Sequence, residues 1–177
     1  MNIEIEERIL EIDIDNVIKK LELLNAVKVG QWHQKRYVYD FTPKRENEWI
    51  RLRSNGEKTT LTYKNIENNS INGTKELEIE VSDFDKTNEL LNVLGYKSKA
   101  YQENKRVRYI LNDVEIDIDS WPLIPAYMEL EGNSIEAIKK VEELLEVNTS
   151  KVTTLNCQDI YKQIYSIDID KISELKF

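Results

Sequence analysis

The sequence predicts an α+β fold in which about eight antiparallel strands close, or nearly close, into a barrel accompanied by four helices. Three observations lead there. Eight segments read as strands, most of them alternating charged and apolar residues with a period of two. Two Asn-centred signals, Asn55-Gly56 and Asn112-Asp113, join neighbouring strands by tight turns. Four further segments carry the apolar period of amphipathic helices.

Residues 2–12 open the chain as a strand with Glu4, Glu6 and Arg8 on one face and Ile3, Ile5 and Ile9 on the other. A first helix is expected around 15–26, then an aromatic-rich extended run over 32–41. In 48–54, Trp49, Arg51 and Arg53 share one face and Ile50 and Leu52 the other; the Asn55-Gly56 turn returns the chain through 58–66. Residues 74–82 set Glu76, Glu78 and Glu80 opposite Leu77, Ile79 and Val81. Capping side chains at Ser82-Asp83-Phe84-Asp85 start a second helix, which Gly95 ends. Residues 97–111 run extended with Arg106 and Arg108 on one face, and 114–119 return with Glu115, Asp117 and Asp119 together. A Pro-punctuated crossing over 121–125 leads to the last strand, 126–132, which carries Glu129 and Glu131. Residues 134–146 form a third helix capped by Asn133 or Ser134, and a fourth is expected at 155–165.

The 177 residues suit one domain, 1–177, with no low-complexity linker. A net charge of −8 argues against a nucleic-acid binder that works by bulk electrostatics. Cys157 is the only cysteine, so an intramolecular disulfide is excluded and a reducing compartment fits. With His33 as the only histidine, a zinc site or a Cys/His catalytic pair is a poor fit. No apolar signal region or membrane-spanning run is present, so the chain reads as cytoplasmic, with no membrane partner. The Asn-x-Ser/Thr matches at Asn68, Asn72 and Asn148 then carry little weight.

The charged strand faces admit two readings. They could be the solvent side of a half-buried sheet, with cross-strand ion pairs of a few tenths of a kcal/mol, roughly. Alternatively they could line a barrel interior, which requires pairing, hydration or a charged ligand. A polyphosphate with a divalent metal satisfies the second reading. Arg and Lys take phosphate oxygens and carboxylates take the metal. The basic residues come from central strands and Glu4, Glu6, Glu129 and Glu131 from the first and last, a sorting that solvated charges do not need. Periodicity alone leaves both readings open.

Glu4-x-Glu6-x-Arg8 resembles the signature strand of the CYTH superfamily, the triphosphate tunnel metalloenzymes. The resemblance continues in order through Arg51-Leu52-Arg53, Leu61-Thr62-Tyr63-Lys64, Glu76-Leu77-Glu78, Arg106-Val107-Arg108, and Ile118-Asp119-Ser120-Trp121-Pro122 to Glu129-Leu130-Glu131-Gly132. It is strongest over 2–132, leaving the C-terminal helices in 134–177. It implies an eight-stranded closed antiparallel β-barrel with the charged faces inward and the helices outside. The phrase from Asp119 to Gly132 is similar to a bacterial subgroup provisionally labelled adenylate cyclase. Carried over by position, Glu4, Glu6, Asp119, Glu129 and Glu131 would hold Mg²⁺ or Mn²⁺. Arg51, Arg53, Lys64, Arg106 and Arg108 would hold the phosphates, and Glu78 would be a further lumen carboxylate. Arg8 and Lys64 become the candidate catalytic residues.

Two departures bear on activity. The family signature has Lys where this chain has Arg8; Arg stays charged and cannot serve as a base as a desolvated Lys can. The family commonly has Asp before paired aromatics where this chain has Arg36, and Val38 stands where the thiamine triphosphatase branch relies on a tyrosine. The resemblance therefore implies metal-dependent hydrolysis of inorganic tripolyphosphate or a nucleoside triphosphate. The alternatives are an adenylate cyclase forming cyclic AMP and pyrophosphate, or a binder of polyphosphate without turnover. The partner expected is the small triphosphate, on a monomer or homodimer.

Overall fold

A computed structural model describes residues 1–177. The first charged segment forms two strands where one is expected, β1 (Asn2–Glu4) and β2 (Glu6–Ile9). The break at Ile5 has a topological cause: the segment changes hydrogen-bonding partner there. β1 pairs with β6 (Thr74–Val81), and β2 pairs with β9 (Tyr127–Glu131). At the junction the Glu6 N–H donates to Ile71 O, and the Gly132 N–H donates to Ile5 O.

The remaining elements follow the expected order. Helix α1 (Ile14–Leu23) is capped by Asp13, whose side chain accepts from the Asn16 N–H at 3.0 Å. Strand β3 (Val27–Tyr39) begins earlier than the aromatic run suggests, because it pairs with β7 (Ser98–Leu111) from Val27↔Ile110 to Tyr39↔Ser98. β4 (Glu48–Ser54) and β5 (Thr59–Ile66) form the expected hairpin, with Gly56 at φ +91° and Asn55 Oδ1 accepting from the Glu57 and Lys58 N–H groups. Helix α2 (Phe84–Val93) is capped by Asp83 and ended by Gly95 at φ +93°. β7 turns through Asn112 and Asp113, both at positive φ, into β8 (Val114–Ser120). Helix α3 (Ile135–Leu145) is capped by Ser134. The expected helix at 155–165 is reduced to α4 (Cys157–Asp159), running on as a π-turn over Ile160–Ile164. The two-residue strands β10 (Val152–Thr153) and β11 (Glu174–Leu175) pair with β2 and, in parallel, with β7.

The strands make one curled, almost wholly antiparallel sheet in the order β1-β6-β5-β4-β3-β7-β8-β9-β2-β10, with β11 alongside β7. Its apolar face points outward. On one side Leu21 of α1 and Ile138, Val141 and Leu145 of α3 cover Ile116, Ile118, Met128 and Leu130. On another, Phe84 and Leu91 of α2 cover Tyr39 and Leu52. The C-terminal segment packs Ile160, Tyr161 and Ile169 on Trp121 and Tyr127. Each such buried aliphatic or aromatic side chain contributes about 1.5–3 kcal/mol. Coverage is incomplete: Leu77 and Ile79 on the outer face of β6 are each 54% exposed. No helix is long and apolar enough to cross a membrane.

Candidate functional site

Because strand side chains alternate, outward packing of the apolar residues turns the charged ones inward. They line a cavity of about 320 Å³. Eight basic residues (Arg8, Arg36, Arg51, Arg53, Lys64, Lys99, Arg106, Arg108) face it with eight acidic ones (Glu4, Glu6, Glu76, Glu78, Glu115, Glu129, Glu131, Asp170). Of the two readings of the charged faces, the interior one is the one the chain adopts. The equal numbers explain how so many charges tolerate enclosure, since nearly all pair with one another.

The register arranges these groups in rungs across neighbouring strands. Glu115, Glu131 and Glu6 lie side by side on β8, β9 and β2. The next rung carries Arg108, Asp117, Glu129 and Arg8. Towards the other end of β7, Gln102 lies beside Arg36, and Arg36 beside Arg53. One end of the cavity is thus rich in carboxylates and the other in guanidinium groups.

Within this frame the pairing is specific. Lys64 Nζ reaches Glu4 Oε2 at 2.9 Å and Glu76 Oε2 at 2.6 Å. Arg51 approaches Glu78 at 3.3 Å and Glu76 at 3.7 Å, and Arg53 approaches Glu78 at 3.6 Å. Arg108 donates twice to Asp117, at 2.7 and 2.6 Å, and contacts Glu115 at 2.6 Å. Arg106 Nε and Nη2 donate to Asp119 at 2.7 and 2.5 Å, while Nη1 meets Asp117. Arg8 Nη2 lies 2.9 Å from Glu6 and 2.5 Å from Glu129, and Nη1 donates to Leu155 O at 3.1 Å.

All but one of the residues predicted from sequence line this cavity. The exception is Asp119, which is fully covered and turned to Arg106 and to the Asn104 amide. On β6 the more enclosed carboxylate is Glu76, with a side chain 13% exposed against 33% for Glu78, while Glu80 reaches out to Lys58. Lys75 points away from the cavity and pairs with Glu67. Tyr37 and Tyr39 are wall aromatics turned away from the cavity: Tyr37 stacks on Phe84, and the Tyr39 hydroxyl donates to Asn88. Sequence reasoning did not single out Asp117, Asn104 or Trp49 for the site. Asp117 was signalled by sharing a face with Glu115 and Asp119, and Trp49 by sharing one with Arg51 and Arg53.

Two charges remain without an ion-pair partner: Glu131 at the carboxylate end and Arg36 at the other. Burial, then repulsion from Glu129, Glu6 and Glu115, pushes the Glu131 carboxyl up to about 7. Burial likewise pushes Glu4 up to about 8, against the attraction of Lys64 and with the help of Glu6. Lys64 and Arg51 overcome burial at Glu76 and draw it down to about 2. Burial alone would lower Arg8, but Glu129 and Glu6 hold it well above the ordinary arginine value, so it stays charged.

As the side chains stand, no three acidic, His or Cys groups converge closely enough to grip a metal. The donor set nonetheless fits a hard divalent cation. Glu131 is an unpaired carboxylate between Glu6 and Glu115, and all donors are oxygens.

The raised Glu131 carboxyl carries a stability prediction. Between its ordinary value of 4.5 and about 7, the folded chain keeps a proton that the unfolded chain releases. Stability in EDTA therefore falls as pH rises through that window. Glu131→Gln, which mimics the protonated acid, should be more stable than the parent at pH 8 by about 2 kcal/mol after allowing for partial exposure. It should also show a flatter profile of thermal midpoint against pH. An identical profile in parent and variant would refute the assignment.

Comparison with known proteins adds four findings. A family model described as the CYTH domain matches residues 2–161. A Methanocaldococcus jannaschii protein provisionally named an adenylate cyclase is 25% identical over 158 residues, spanning 87% of this chain and 90% of its own length. Among solved structures, a conserved hypothetical protein from Pyrococcus furiosus aligns with a TM-score of 0.76 at 24% identity, covering 87% of this chain and 97% of its own. A Hippeastrum protein, described as a provisional adenylyl cyclase with a dominant triphosphatase activity, aligns with a TM-score of 0.62 at 13% identity, covering 94% and 97%.

Proposed function

The chain belongs to the CYTH domain family, and on that premise we propose that it binds a linear triphosphate in its cavity and hydrolyses it with a divalent cation. The observation that carries this reading is the polarity of the cavity: a rung of three glutamates towards one end and a cluster of guanidinium groups towards the other. In this reading the sheet works as a closed eight-walled tunnel, supported by the way residues 2–9 bond to β6 on one side and β9 on the other.

Glu4, Glu6 and Glu131, with Glu129 beside them, would hold Mg²⁺ or Mn²⁺; Asp119 would act from behind Arg106. When bound, such a cation neutralises phosphate oxygens and lowers the pKa of a coordinated water. The chain's own residues do the rest. Arg51, Arg53 and Arg108 exchange carboxylate partners for phosphoryl oxygens, and Arg106, still backed by Asp119, adds its charge to fix the chain of phosphates in order. Lys64, between Glu4 and Glu76, brings a compact positive charge to the carboxylate end. Arg8 remains protonated, holds Glu6 and Glu129 in place and ties β2 to the C-terminal segment through Leu155. It orients groups and does not take a proton.

The triphosphatase description of the Hippeastrum protein supports hydrolysis. The name of the M. jannaschii relative supports a second reading, in which a ribose 3′-hydroxyl attacks the α-phosphorus of ATP and pyrophosphate leaves. Purified protein given tripolyphosphate or ATP with Mg²⁺, Mn²⁺ or EDTA separates them. Metal-dependent orthophosphate release from tripolyphosphate is expected. Pyrophosphate with stoichiometric cyclic AMP would transfer the assignment to the cyclase, and binding with neither product would leave a binding protein.

A further inference from the structure

Arg36 differs from every other arginine lining the cavity. It is 8% exposed, yet no carboxylate lies within ion-pair distance. Both of its hydrogen bonds run from Nη2, to the neutral side chains of Asn104 and, at 3.4 Å, Gln34. Its Nε is buried with no acceptor. The guanidinium lies 4.6 Å above the Trp121 ring, and the Trp121 Nε1–H is a second buried donor with no acceptor at the same end. Arg53 stands next to Arg36 across the β3–β4 register. Burial and the neighbouring Arg51 lower the Arg36 pKa to about 10, consistent with a positive cluster short of negative charge.

Orphaned buried donors and an unpaired guanidinium are costly, and one acceptor would satisfy them together. A carboxylate offers two oxygens; a terminal phosphoryl group offers three and up to two negative charges, matching a planar guanidinium beside a second arginine. We infer that Arg36 and Trp121 form a subsite for the terminal phosphoryl group of the substrate, at the end of the cavity remote from the Glu6–Glu131 rung. This rests on the reading of the cavity as a triphosphate site. It adds a placement: one terminal phosphoryl group, the γ-phosphoryl of a nucleoside triphosphate or either equivalent end of tripolyphosphate, goes to Arg36, and the part held with the cation lies at the glutamates. Neutral partners make sense here, since a resident carboxylate would have to be displaced before a phosphoryl group could bind.

The test is equilibrium dialysis of tripolyphosphate against the full chain on ice, with EDTA and with Mg²⁺. Arg36→Gln is compared with Lys35→Gln, which removes the same charge one residue away. Lys35 projects from the other face of β3 onto the Phe84 ring. Arg36→Gln should weaken binding by about tenfold or more, and Lys35→Gln by less than about twofold. Should the two variants behave alike while the parent binds, the subsite falls and the triphosphate reading stands. No binding by the parent in either buffer would remove both. If Arg36→Gln lacks a cooperative thermal transition, Trp121→Phe decides, because it removes the orphan N–H while leaving an aromatic ring beneath Arg36. A several-fold loss of affinity is expected, and unchanged affinity would overturn the subsite.

Discussion

Replacing Glu4 and Glu6 together by Gln is expected to abolish metal-dependent turnover of tripolyphosphate, by about a hundredfold or more, while leaving its binding in EDTA intact or slightly tighter. The two effects run in opposite directions because the carboxylates do two jobs. In the free protein Glu4 is occupied by Lys64 and Glu6 by Arg8, at 2.9 Å each. Amides of the same shape keep the packing but release those cations. Lys64 still has Glu76, and Arg8 still has Glu129, so neither is stranded. The cavity gains positive charge through the change at Glu6, since the Glu4 carboxyl, pushed up to about 8, is already largely protonated at neutral pH; that favours a polyanion, while the site loses two of the oxygens that a hard cation requires. A protein that only binds phosphate would gain affinity and lose nothing. Turnover of the double variant at the parental rate, with the same response to Mg²⁺ and EDTA, would take the glutamates out of the metal site.

How far this arrangement was legible in the sequence can be judged strand by strand. The period of two assigned Glu4, Glu6, Arg8, Arg51, Arg53, Lys64, Arg106, Arg108, Glu129 and Glu131 to common faces, and all of them line the cavity. Which face was interior could not come from periodicity, because an inverted sheet has the same alternation. That depends on whether helices cover the apolar side, a tertiary fact decided by packing such as Ile138 and Val141 against Ile116 and Leu130. The turns at Asn55-Gly56 and Asn112-Asp113 were readable because they demand positive φ, and only a few residue types supply it cheaply. The break at Ile5 was not readable: nothing local marks it, and it exists because one segment serves two partner strands. The preference for Glu76 over Glu78 was equally hidden, since both share a face and only the reach of Lys64 and Arg51 separates them. Arg36 stood out in the sequence as an unexpected residue type, whereas its lack of a carboxylate partner required the fold.

Arg106→Met should be the most destabilising single change in the cavity wall. Arg106 serves three carboxylates: Asp119, which is wholly buried, Asp117, which is 3% exposed, and Glu129 at 3.5 Å. Those charges hold Arg106 well above the ordinary arginine value in spite of its burial. Met fills much of the same space, so the loss is mainly electrostatic. Asp119 keeps only the Asn104 amide, and Asp117 keeps Arg108. Stranding one member of a buried ion network costs about 3–5 kcal/mol, a large share of a typical domain stability of about 5–15 kcal/mol. For a chain of this size the thermal midpoint should fall by about 10 °C. Two companion measurements identify the cause. Asp119→Asn in the Arg106→Met background should recover part of the loss, since the stranded charge is gone, although Asp119→Asn alone in the parent is destabilising. The deficit of Arg106→Met should also shrink in acid, where the abandoned carboxylate can be protonated. A loss below about 1 kcal/mol, or one that Asp119→Asn deepens, would mean that Arg106 is held by packing and not by charge. In that case the wall of paired charges would not be what holds this cavity together.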